Sequence, residues 1–302
     1  MHFVASIIIS FIIYFSIEPF LSKYVRDIPN KRSSHFKAVP SAGGLIFIIP
    51  FLGFCIWNQN YIYLYLLPLI IISFIDDIFK TSRLIRAIIQ IITLYGIVNY
   101  FENFYINSNI VNFIIFNLIV IFGFCIINLF NFMDGLDGLL SGCMFLILFR
   151  SINYIRPEIS ILIGSLSVFF IFNWSPAKIF MGDTGSTFLG AIYFIIIFSS
   201  ANYSQLFMNI LIGTPILFDS ISCLFIRLLK KQNIFLPHKL HLYQRLNQAG
   251  MSHSKTSLLY ITSTLFLIVI STFGNNFLLF FASCLIVLFG LFLNSKYALK
   301  FN

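Results

Sequence analysis

The sequence predicts an all-α protein, a polytopic bundle of about eleven transmembrane helices. Of its 302 residues, 59% are apolar and 18% aromatic, whereas only 10% are charged, a composition unlike that of a soluble domain. The apolar residues form continuous runs, for example from Ser6 to Phe15, and not the alternation of a transmembrane β-barrel. Lys and Arg also collect in alternate loops, as they do in helical membrane proteins.

Eleven apolar segments are candidates for membrane helices. Several are shorter than ~20 residues, and tilt or extension into the adjoining loops would make up the difference. The second and third segments are separated by only three polar residues, so a re-entrant hairpin is an alternative for this pair. The expected ranges are 3–22, 43–57, 61–75, 84–101, 110–128, 139–155, 159–175, 187–201, 206–228, 257–273 and 277–294.

The basic residues predict the orientation of these helices. Seventeen of the 19 Lys and Arg residues fall on one side of the membrane, and only Arg150 and Arg156 lie towards the other. Such residues mark cytoplasmic loops, which predicts an outside N-terminus and a cytoplasmic C-terminus. This bias explains the net charge of +9, so we expect membrane lipids and no nucleic acid as partners. No linker or repeat divides the chain, which indicates a single domain over residues 1–302.

Six of the ten acidic residues lie at or near the ends of the apolar segments. A carboxylate near lipid is costly, so one found there usually faces a wet cavity and serves function. In the predicted topology all six lie on the cytoplasmic side: Asp76, Asp77, Asp134, Asp137, Asp183 and Asp219. The sequence therefore predicts an active site at the cytoplasmic surface of the membrane.

Asp76 and Asp77 are adjacent, just after the third segment. Neighbouring carboxylates repel, which raises the pKa of one of them unless a cation lies beside them. Such a pair suits Mg²⁺ binding or general-base chemistry. The alternative is a solvated loop in which Lys80 and Arg83 act as counterions.

The segment N-L-F-N-F-M-D-G-L-D-G-L links the fifth and sixth apolar segments. Asn128 and Asn131 lie one helical turn apart, and Asp134 and Asp137 repeat that offset. Two glycines allow the backbone to turn and to approach a ligand closely. Oxygen ligands beside a helix N-terminus suit a phosphate with a divalent cation, and a polar helix cap is the alternative.

The segment M-G-D-T-G-S-T lies between the seventh and eighth apolar segments and contains Gly182, Asp183 and Ser186. We expect Ser186 to cap the following helix. Backbone N–H groups would hold phosphate oxygens there, and Asp183 would hold a metal. A simple tight turn is the alternative.

His238, His241 and Arg245 lie in the last large cytoplasmic loop, at a spacing that allows one shared helix face. Imidazole and guanidinium groups together suit recognition of a diphosphate. Zinc is the rival ligand, but the sequence shows no cysteine near these histidines and no third histidine at ligand spacing except the distant His253.

Two further features each have two interpretations. Lys31, Arg32 and His35 suit contact with a lipid phosphate, although basic segments beside a membrane helix commonly only fix topology. Asp219, in the inner half of the ninth segment, could reach the site or could pair with Arg227.

The motifs D-D, N-x-x-N-x-x-D-G-x-x-G-L, G-D-x-G-S and H-x-x-H-x-x-x-R, in this order, resemble those of the polyprenyl-phosphate N-acetylhexosamine-1-phosphate transferases, glycosyltransferase family 4. This family includes the muramyl-pentapeptide translocase (MraY) and the WecA-like and WbpL-like enzymes that start O-antigen and related glycans. The resemblance covers roughly residues 20–260. The stretches D-x-P-N-x-R-S-S-H and L-Y-Q-R-L-N-Q-A-G-M-S-H are most similar to the WbpL-like branch.

The resemblance implies an eleven-helix, Mg²⁺-dependent enzyme of the bacterial inner membrane, with Mn²⁺ as an alternative ion and a homodimer left open. Such an enzyme transfers an N-acetyl-amino-sugar 1-phosphate from a UDP-sugar to undecaprenyl phosphate and releases UMP, which starts O-antigen (lipopolysaccharide) or another envelope polysaccharide. By similarity, Asp183 and Asn131 bind the metal, and Asp76 and Asp77 act on the lipid phosphate. The residues implied to contact the nucleotide or its diphosphate are Asn128, Asp134, Asp137, Gly182, Ser186, His238, His241 and Arg245.

Some family members carry a third aspartate where this chain has Lys80, so a role for that carboxylate does not carry over. A transporter or flippase for a lipid-linked or phosphorylated solute is an alternative function. A transporter would place its ionisable residues near the bilayer midplane, often in paired repeats, whereas here they lie at one edge. A scaffold without activity is a third interpretation, which the presence of every key motif residue opposes.

Overall fold

The computed structural model describes residues 2–29, 37–101, 109–152, 157–234, 236, 238–273 and 275–301. Within these ranges the chain is almost entirely helical, which confirms the prediction of a helical bundle. A 3₁₀ helix (Tyr61–Leu66) leads into α3, and β1 (Arg26–Asp27) pairs antiparallel with β2 (Val39–Pro40). The α-helices are α1 (His2–Tyr24), α2 (Leu45–Trp57), α3 (Leu67–Phe79), α4 (Arg83–Tyr100), α5 (Asn109–Asn131), α6 (Leu139–Ser151), α7 (Glu158–Asn173), α8 (Gly182–Phe198), α9 (Tyr203–Ile212), α10 (Thr214–Leu229), α11 (Leu242–Gln248), α12 (His253–Phe273) and α13 (Asn276–Lys296).

Each predicted apolar segment overlaps a helix or, for the third and the ninth, a pair of helices. Helix α9 and helix α10 meet at Gly213 with a bend of 68°. The other predicted segments form shorter or less apolar helices, so eleven membrane crossings and the direction of the termini stay predictions. The helices that are by themselves long and apolar enough to cross a membrane are His2–Tyr24, Tyr61–Phe79, Ile110–Asn131, His253–Phe273 and Asn276–Lys296.

Helix α8 lies at the centre of the bundle. Its residues are buried on every side from Thr184 to Ile197, and it packs against α3 and α5. A helix that is apolar all round is one enclosed by other helices. This central position places the first turn of α8, which carries the G-D-T-G-S motif, beside the ends of α3 and α5, where the other acidic motifs lie.

A close contact between glycines fixes α8 against the start of α2. A Cβ atom on Gly44 would lie 2.4 Å from the Cα of Gly185. The N–H groups of Gly43 and Gly44 donate to the carbonyls of Phe180 and Met181, at 2.9 and 3.0 Å. Because only glycine permits such an approach, the Gly-Gly pair positions the loop that leads into α8.

Apolar side chains also cover much of the outer surface of the bundle. Phe113, Phe273 and Phe277 are 70%, 90% and 70% exposed. An exposed apolar surface of this extent is a liability in water and is the expected surface for contact with lipid.

Candidate active site

Asp77 caps the N-terminus of α8 from 106 residues away in the sequence. Its Oδ1 accepts the N–H of Asp183 at 2.9 Å, and its Oδ2 accepts the N–H and the hydroxyl of Thr184 at 3.1 and 2.6 Å. A carboxylate at this position satisfies free N–H groups and interacts favourably with the positive end of the helix dipole. Both oxygens of Asp77 are therefore engaged in holding α8.

Gly182 makes this contact sterically feasible. Its φ of +72° favours glycine, and a Cβ atom there would lie 2.4 Å from Oδ2 of Asp77. The N–H groups of Asp183 and Thr184, which the sequence suggested for phosphate oxygens, donate to Asp77 in this structure. A direct contact between Gly182 and the diphosphate stays a prediction.

Ser186 joins α8 to α5 and does not cap α8. The expectation of a cap was wrong because α8 begins at Gly182, so Ser186 lies within its first turns. Its hydroxyl donates to Oδ1 of Asn131 at 2.5 Å and lies 3.0 Å from the carbonyl of Gly182. This bond places the amide of Asn131 beside the turn that carries Asp183.

Arg86 of α4 bridges two of the acidic residues. Its Nη1 donates to Oδ2 of Asp76 at 2.8 Å and also to Oδ2 of Asp183. The other oxygen of Asp76 accepts the N–H and the hydroxyl of Thr81, at 2.6 and 2.7 Å. The main partner of Asp76 is therefore Arg86, ten residues further on, and not Lys80 or Arg83.

Arg86 was not singled out from the sequence, although the spacing of polar residues along α4 could have indicated it as a site residue. Arg86 and Gln90 are four residues apart and so share one face of the helix. Gln90 is buried and its Oε1 accepts Nδ2 of Asn128 at 2.8 Å, while the same Nδ2 lies 2.8 Å from the carbonyl of Phe124. Asn128 thus joins α5 to α4, and its expected contact with the nucleotide stays a prediction.

Asp134 lies in the turn after α5 and is half-buried. Burial raises the pKa of its carboxyl well above the ordinary value, and the nearby charges of Asp183, Asp77 and Asp137 raise it further. Carboxylates thus crowd one region in which Arg86 provides a bridging positive charge. Such an excess of negative charge, presented by oxygen ligands, suits a divalent cation.

Asp137 contacts α12 and the segment that follows α7. Its Oδ1 lies 3.2 Å from Nδ1 of His253, its Oδ2 accepts the N–H of Ala177 at 3.2 Å, and its carbonyl accepts the hydroxyl of Ser257 at 2.7 Å. Burial raises the pKa of Asp137, but hydrogen bonding and the charge of His253 outweigh it and leave the pKa below its usual value. Contact of Asp137 with the nucleotide stays a prediction.

Asn173, which the sequence reasoning did not single out, organises the same turn. Its Oδ1 accepts the N–H of Gly138 at 3.1 Å and the hydroxyl of Ser141 at 2.9 Å. Its Nδ2 donates to the carbonyl of Ile179 at 3.0 Å. The sequence feature that could have indicated this role is a single asparagine near the end of an apolar segment, two residues before Ser-Pro. A buried amide needs hydrogen-bond partners, so such a residue is expected to organise its surroundings.

Asp219 caps the short helix α11, which carries part of the H-x-x-H-x-x-x-R motif. The fully buried carboxylate accepts the N–H groups of Leu242 and Tyr243, at 2.7 and 3.0 Å, and the hydroxyl of Tyr260, at 2.6 Å. Nδ1 of His241 lies 3.5 Å away. Asp219 therefore positions the basic loop.

The alternative partner expected for Asp219 was Arg227, in the last turn of α10. Arg227 instead donates to the carbonyls of Asn233, Ile234 and Leu236.

Tyr243 docks α11 onto the turn that carries Asp134. Its hydroxyl donates to the carbonyl of Phe132 at 2.9 Å. A Cβ atom on Gly135 would lie 2.1 Å from that hydroxyl, so glycine is needed for this approach. The basic loop and the N-x-x-N-x-x-D-G motif thus meet through a tyrosine that the sequence reasoning missed.

His238 and His241 lie near Cys223 of α10, with their candidate ligand atoms all within 4.8 Å. A cysteine that is distant in the sequence thus lies near these histidines in space. However, Nδ1 of His238 accepts the N–H of Leu240 at 3.2 Å, so the neutral ring carries its proton on Nε2. Burial, then the charges of His241 and Arg227, lower the pKa of His238 to about 4. An Nε2–H group suits an anionic oxygen, whereas a metal needs a lone pair there.

Arg245 is buried and turned into the protein. Its Nε donates to the carbonyl of Leu240 at 3.0 Å and its Nη1 to the carbonyl of Leu299 at 2.8 Å, and its Nη2 donates to the side chain of Asn294. Each guanidinium nitrogen thus has an acceptor within the chain. The diphosphate contact expected for Arg245 stays a prediction, and the observed contacts indicate a structural role.

The three candidates for contact with the lipid phosphate are not placed by the structure. Lys31, Arg32 and His35 lie outside the described residues, so their role stays a prediction.

Residues 59–201, from before α3 to the end of α8, match the family model described as Glycosyl transferase family 4. The chain is 28% identical, over 80% of its length and 75% of the relative, to a probable undecaprenyl-phosphate N-acetylglucosaminyl 1-phosphate transferase of Bacillus subtilis. It is 28% identical to an undecaprenyl-phosphate alpha-N-acetylglucosaminyl 1-phosphate transferase of Thermotoga maritima, over 71% of the chain and 70% of the relative.

A third relative is a phospho-N-acetylmuramoyl-pentapeptide-transferase of Dictyoglomus turgidum, which is 32% identical over 62% of this chain and 68% of the relative. The family match contains the D-D, N-x-x-N-x-x-D-G and G-D-x-G-S motifs that the fold brings together. The finer resemblance to the WbpL-like branch stays a prediction. Motifs, geometry and relatives agree, and the chain belongs to glycosyl transferase family 4, the polyprenyl-phosphate hexosamine-1-phosphate transferases.

Proposed function

We propose that the protein transfers an N-acetyl-amino-sugar 1-phosphate from a UDP-sugar to undecaprenyl phosphate at the cytoplasmic face of a bacterial inner membrane. The product would start O-antigen or another envelope polysaccharide. The observation that carries this proposal is the convergence of Asp77, Asp183, Asn131 and Arg86 at the first turns of α8. The names of the relatives, which refer to undecaprenyl-phosphate sugar-1-phosphate transfer, support the same reaction.

Asp183, Asn131 and Asp134 are the residues that would hold Mg²⁺ or Mn²⁺. They offer carboxylate and amide oxygens, the ligands that these hard cations prefer. The charges of three neighbouring carboxylates raise the pKa of Asp134, so the site has negative charge that a cation would neutralise. When bound, the ion would supply electrostatic neutralisation of the diphosphate. Asp183 would have to release Arg86 in order to bind the metal. Arg86 and the metal would therefore compete for the carboxylate of Asp183, and this competition can be measured.

Transfer needs one bond to form and one to break. An oxygen of the lipid phosphate attacks the sugar-linked phosphorus of the donor. The bond from that phosphorus to the bridging oxygen then breaks, and UMP leaves with the electron pair. A phosphate monoester has a second pKa of about 6, so the lipid phosphate needs little help from a general base at neutral pH.

The contacts of the aspartate pair support direct displacement over a covalent intermediate. Both oxygens of Asp77 accept hydrogen bonds from the start of α8, and both oxygens of Asp76 accept bonds from Thr81 or Arg86. A nucleophilic carboxylate would have to release these partners. The proposed task of the pair is to hold α8 and Arg86 in place, so that positive charge and metal ligands face the two phosphates.

The experiment uses the purified protein in detergent with undecaprenyl phosphate, Mg²⁺ and a panel of UDP-N-acetyl sugars. The panel includes UDP-N-acetylglucosamine, the muramyl-pentapeptide donor and 6-deoxy amino sugars such as N-acetylfucosamine and N-acetylquinovosamine. Release of UMP with one donor, stopped by EDTA, is the expected result. No release from folded protein with any donor would oppose the proposal and favour a transporter.

Asp183→Asn tests the metal assignment. It should abolish UMP release while the protein stays folded, because it removes a charge that the cation needs. Glu18→Gln removes a carboxylate from α1 and is the matched control, with activity expected near that of the unaltered protein. Near-normal, Mg²⁺-dependent turnover of Asp183→Asn would show that Asp183 is not a metal ligand.

A further inference from the structure

We propose that Arg245 is a positioning residue, which acts as one half of a clasp on α11. The other half is the segment from Asn294 to Phe301, at the end of α13 and beyond it. The clasp holds α11 so that Tyr243 stays docked on the turn that contains Asp134. Its effect on turnover rests on the proposed function, whereas the clasp itself does not.

The first support is a reciprocal set of hydrogen bonds. Nη1 of Arg245 donates to the carbonyl of Leu299 at 2.8 Å, and the N–H of Leu299 lies 3.3 Å from the carbonyl of Arg245. Nη2 donates to Oδ1 of Asn294. A planar guanidinium can satisfy acceptors in several directions at once, which a lysine ammonium on a flexible stem does not reproduce.

The second support is the ring of Phe301, which lies close to two cations. The guanidinium carbon of Arg245 and Nζ of Lys230 are each 5.1 Å from its centroid. Lys230 also donates to the carbonyl of Phe301. Both distances are within the range of a cation–π interaction, so the segment is attached to α11 and to the end of α10.

The third support is a small apolar cluster. Leu242 and Leu246 of α11 pack with Leu293 of α13, and Ala298 covers them. This cluster is separate from the main core of the bundle. Part of the apolar face of α11 therefore packs on Leu293, just before the segment that binds Arg245, and on Ala298 within that segment.

The position of α11 matters because the helix is short. It has seven residues, and isolated helices shorter than ~12–15 residues are marginal in water, so tertiary contacts must hold it. Asp219 fixes its start and Arg245 fixes its last turn. Between them, Tyr243 contacts Phe132 and the Gly135 backbone. Loosening the last turn would therefore loosen the contact with the Asp134 turn.

The competing interpretation is that Arg245 binds the donor diphosphate directly, as its motif suggests. The two interpretations differ in what they predict for Phe301, since this ring touches Arg245 and Lys230 and would matter only to a clasp. Hydrogen exchange of the backbone N–H groups in α11, measured by mass spectrometry on the full chain in detergent, reports the clasp without any substrate.

Three variants are compared: Arg245→Lys, Phe301→Ala and, as the control, Phe273→Ala, which removes a ring that is 90% exposed. Loss of a cation–π contact should speed exchange in α11 by about fivefold in Phe301→Ala. Loss of the guanidinium fork should speed it by about tenfold in Arg245→Lys. Phe273→Ala should leave it unchanged. In the UMP assay the first two variants should lower kcat.

Unchanged exchange in Phe301→Ala and Arg245→Lys would overturn the clasp. A rise in donor KM alone, confined to Arg245→Lys, would show that Arg245 contacts the donor. If the unaltered protein released no UMP, the proposed function would fail, and the exchange rates of α11 would still decide whether the clasp exists.

Discussion

Arg86 gives the sharpest test of the site, because one side chain neutralises carboxylates on two helices. Its Nη1 donates to Asp76 and to Asp183, whose side chains are 8% and 29% exposed, while Arg86 itself is 27% exposed. Arg86→Gln keeps most of the length of the side chain and removes the charge. Asp76 and Asp183 then lose the cation that they share, and the ion pairs that join α4 to α3 and to α8 are lost.

The size of the effect follows from these contacts. A hydrogen bond to a charged group contributes ~1.5–3 kcal/mol. Partial exposure screens the pair, and Asp76 keeps its two bonds from Thr81, so the lower half of that range applies. We expect a loss of about 2 kcal/mol, which corresponds to a fall in melting temperature of roughly 4–8 °C.

A divalent cation should reverse part of this loss. Arg86 and the cation compete for Asp183, so Arg86→Gln should bind Mg²⁺ or Mn²⁺ more tightly than the unaltered protein. A ligand at 100 times its Kd stabilises the folded state by about 2.7 kcal/mol. The metal-induced rise in melting temperature should therefore be larger in Arg86→Gln, and turnover should still fall because the positive charge near the phosphates is lost.

The assay is thermal unfolding in detergent, in EDTA and across a Mg²⁺ titration, with Mn²⁺ binding measured directly by electron paramagnetic resonance. Arg83→Gln, an exposed arginine one turn earlier on α4, is the matched control and should behave like the unaltered protein. Equal melting temperatures for Arg86→Gln and Arg83→Gln in EDTA, with the same dependence on Mg²⁺, would refute the bridging role.

Three further predictions concern glycines and a histidine. Gly135→Ala should displace the buried Tyr243, destabilise the protein by ~1–3 kcal/mol and lower turnover by at least tenfold, and an unaffected kcat/KM would contradict the docking of α11. Gly44→Ala should destabilise the protein by ~1–3 kcal/mol, because its Cβ would meet backbone, whereas Gly53→Ala, with open space around it, should not; equal melting temperatures would refute the close contact. The pKa of His238 is about 4 in the folded chain and about 6.5 when unfolded, so stability should be lost as pH falls between these values. His238→Gln should flatten that part of the curve of melting temperature against pH, and an unchanged curve would show that His238 is not held neutral.

The helices could be predicted because their apolar length is a local property of the sequence. The bend between α9 and α10 was missed, since Gly213 and Pro215 lie inside one continuous apolar run. Helix α11 was also missed, because a polar seven-residue helix has no pattern of its own. It exists through its cap from Asp219 and its contact with the segment beyond α13, and both partners are distant in sequence.

The site shows the same division. Its acidic and amide residues could be proposed from spacing and sidedness. The structure joins Asp183 to Asp77 directly and to Asp76 through a shared arginine, and it joins Asn131 to the same turn through Ser186. The pairing within the site could not be read from the sequence. Which of three neighbouring basic residues meets Asp76 depends on how α4 is rotated against α3, and packing decides that rotation.

The cap that Asp77 provides to α8 has a consequence for how the protein is made. The first N–H groups of α8 find their acceptor on α3, and polar backbone groups at a membrane helix cannot remain unpaired without cost. A chain in which α8 has been inserted but has not yet met α3 carries every motif and has no assembled site. Activity should therefore appear only when α3 and α8 have docked, which ties the start of catalysis to the assembly of the inserted helices.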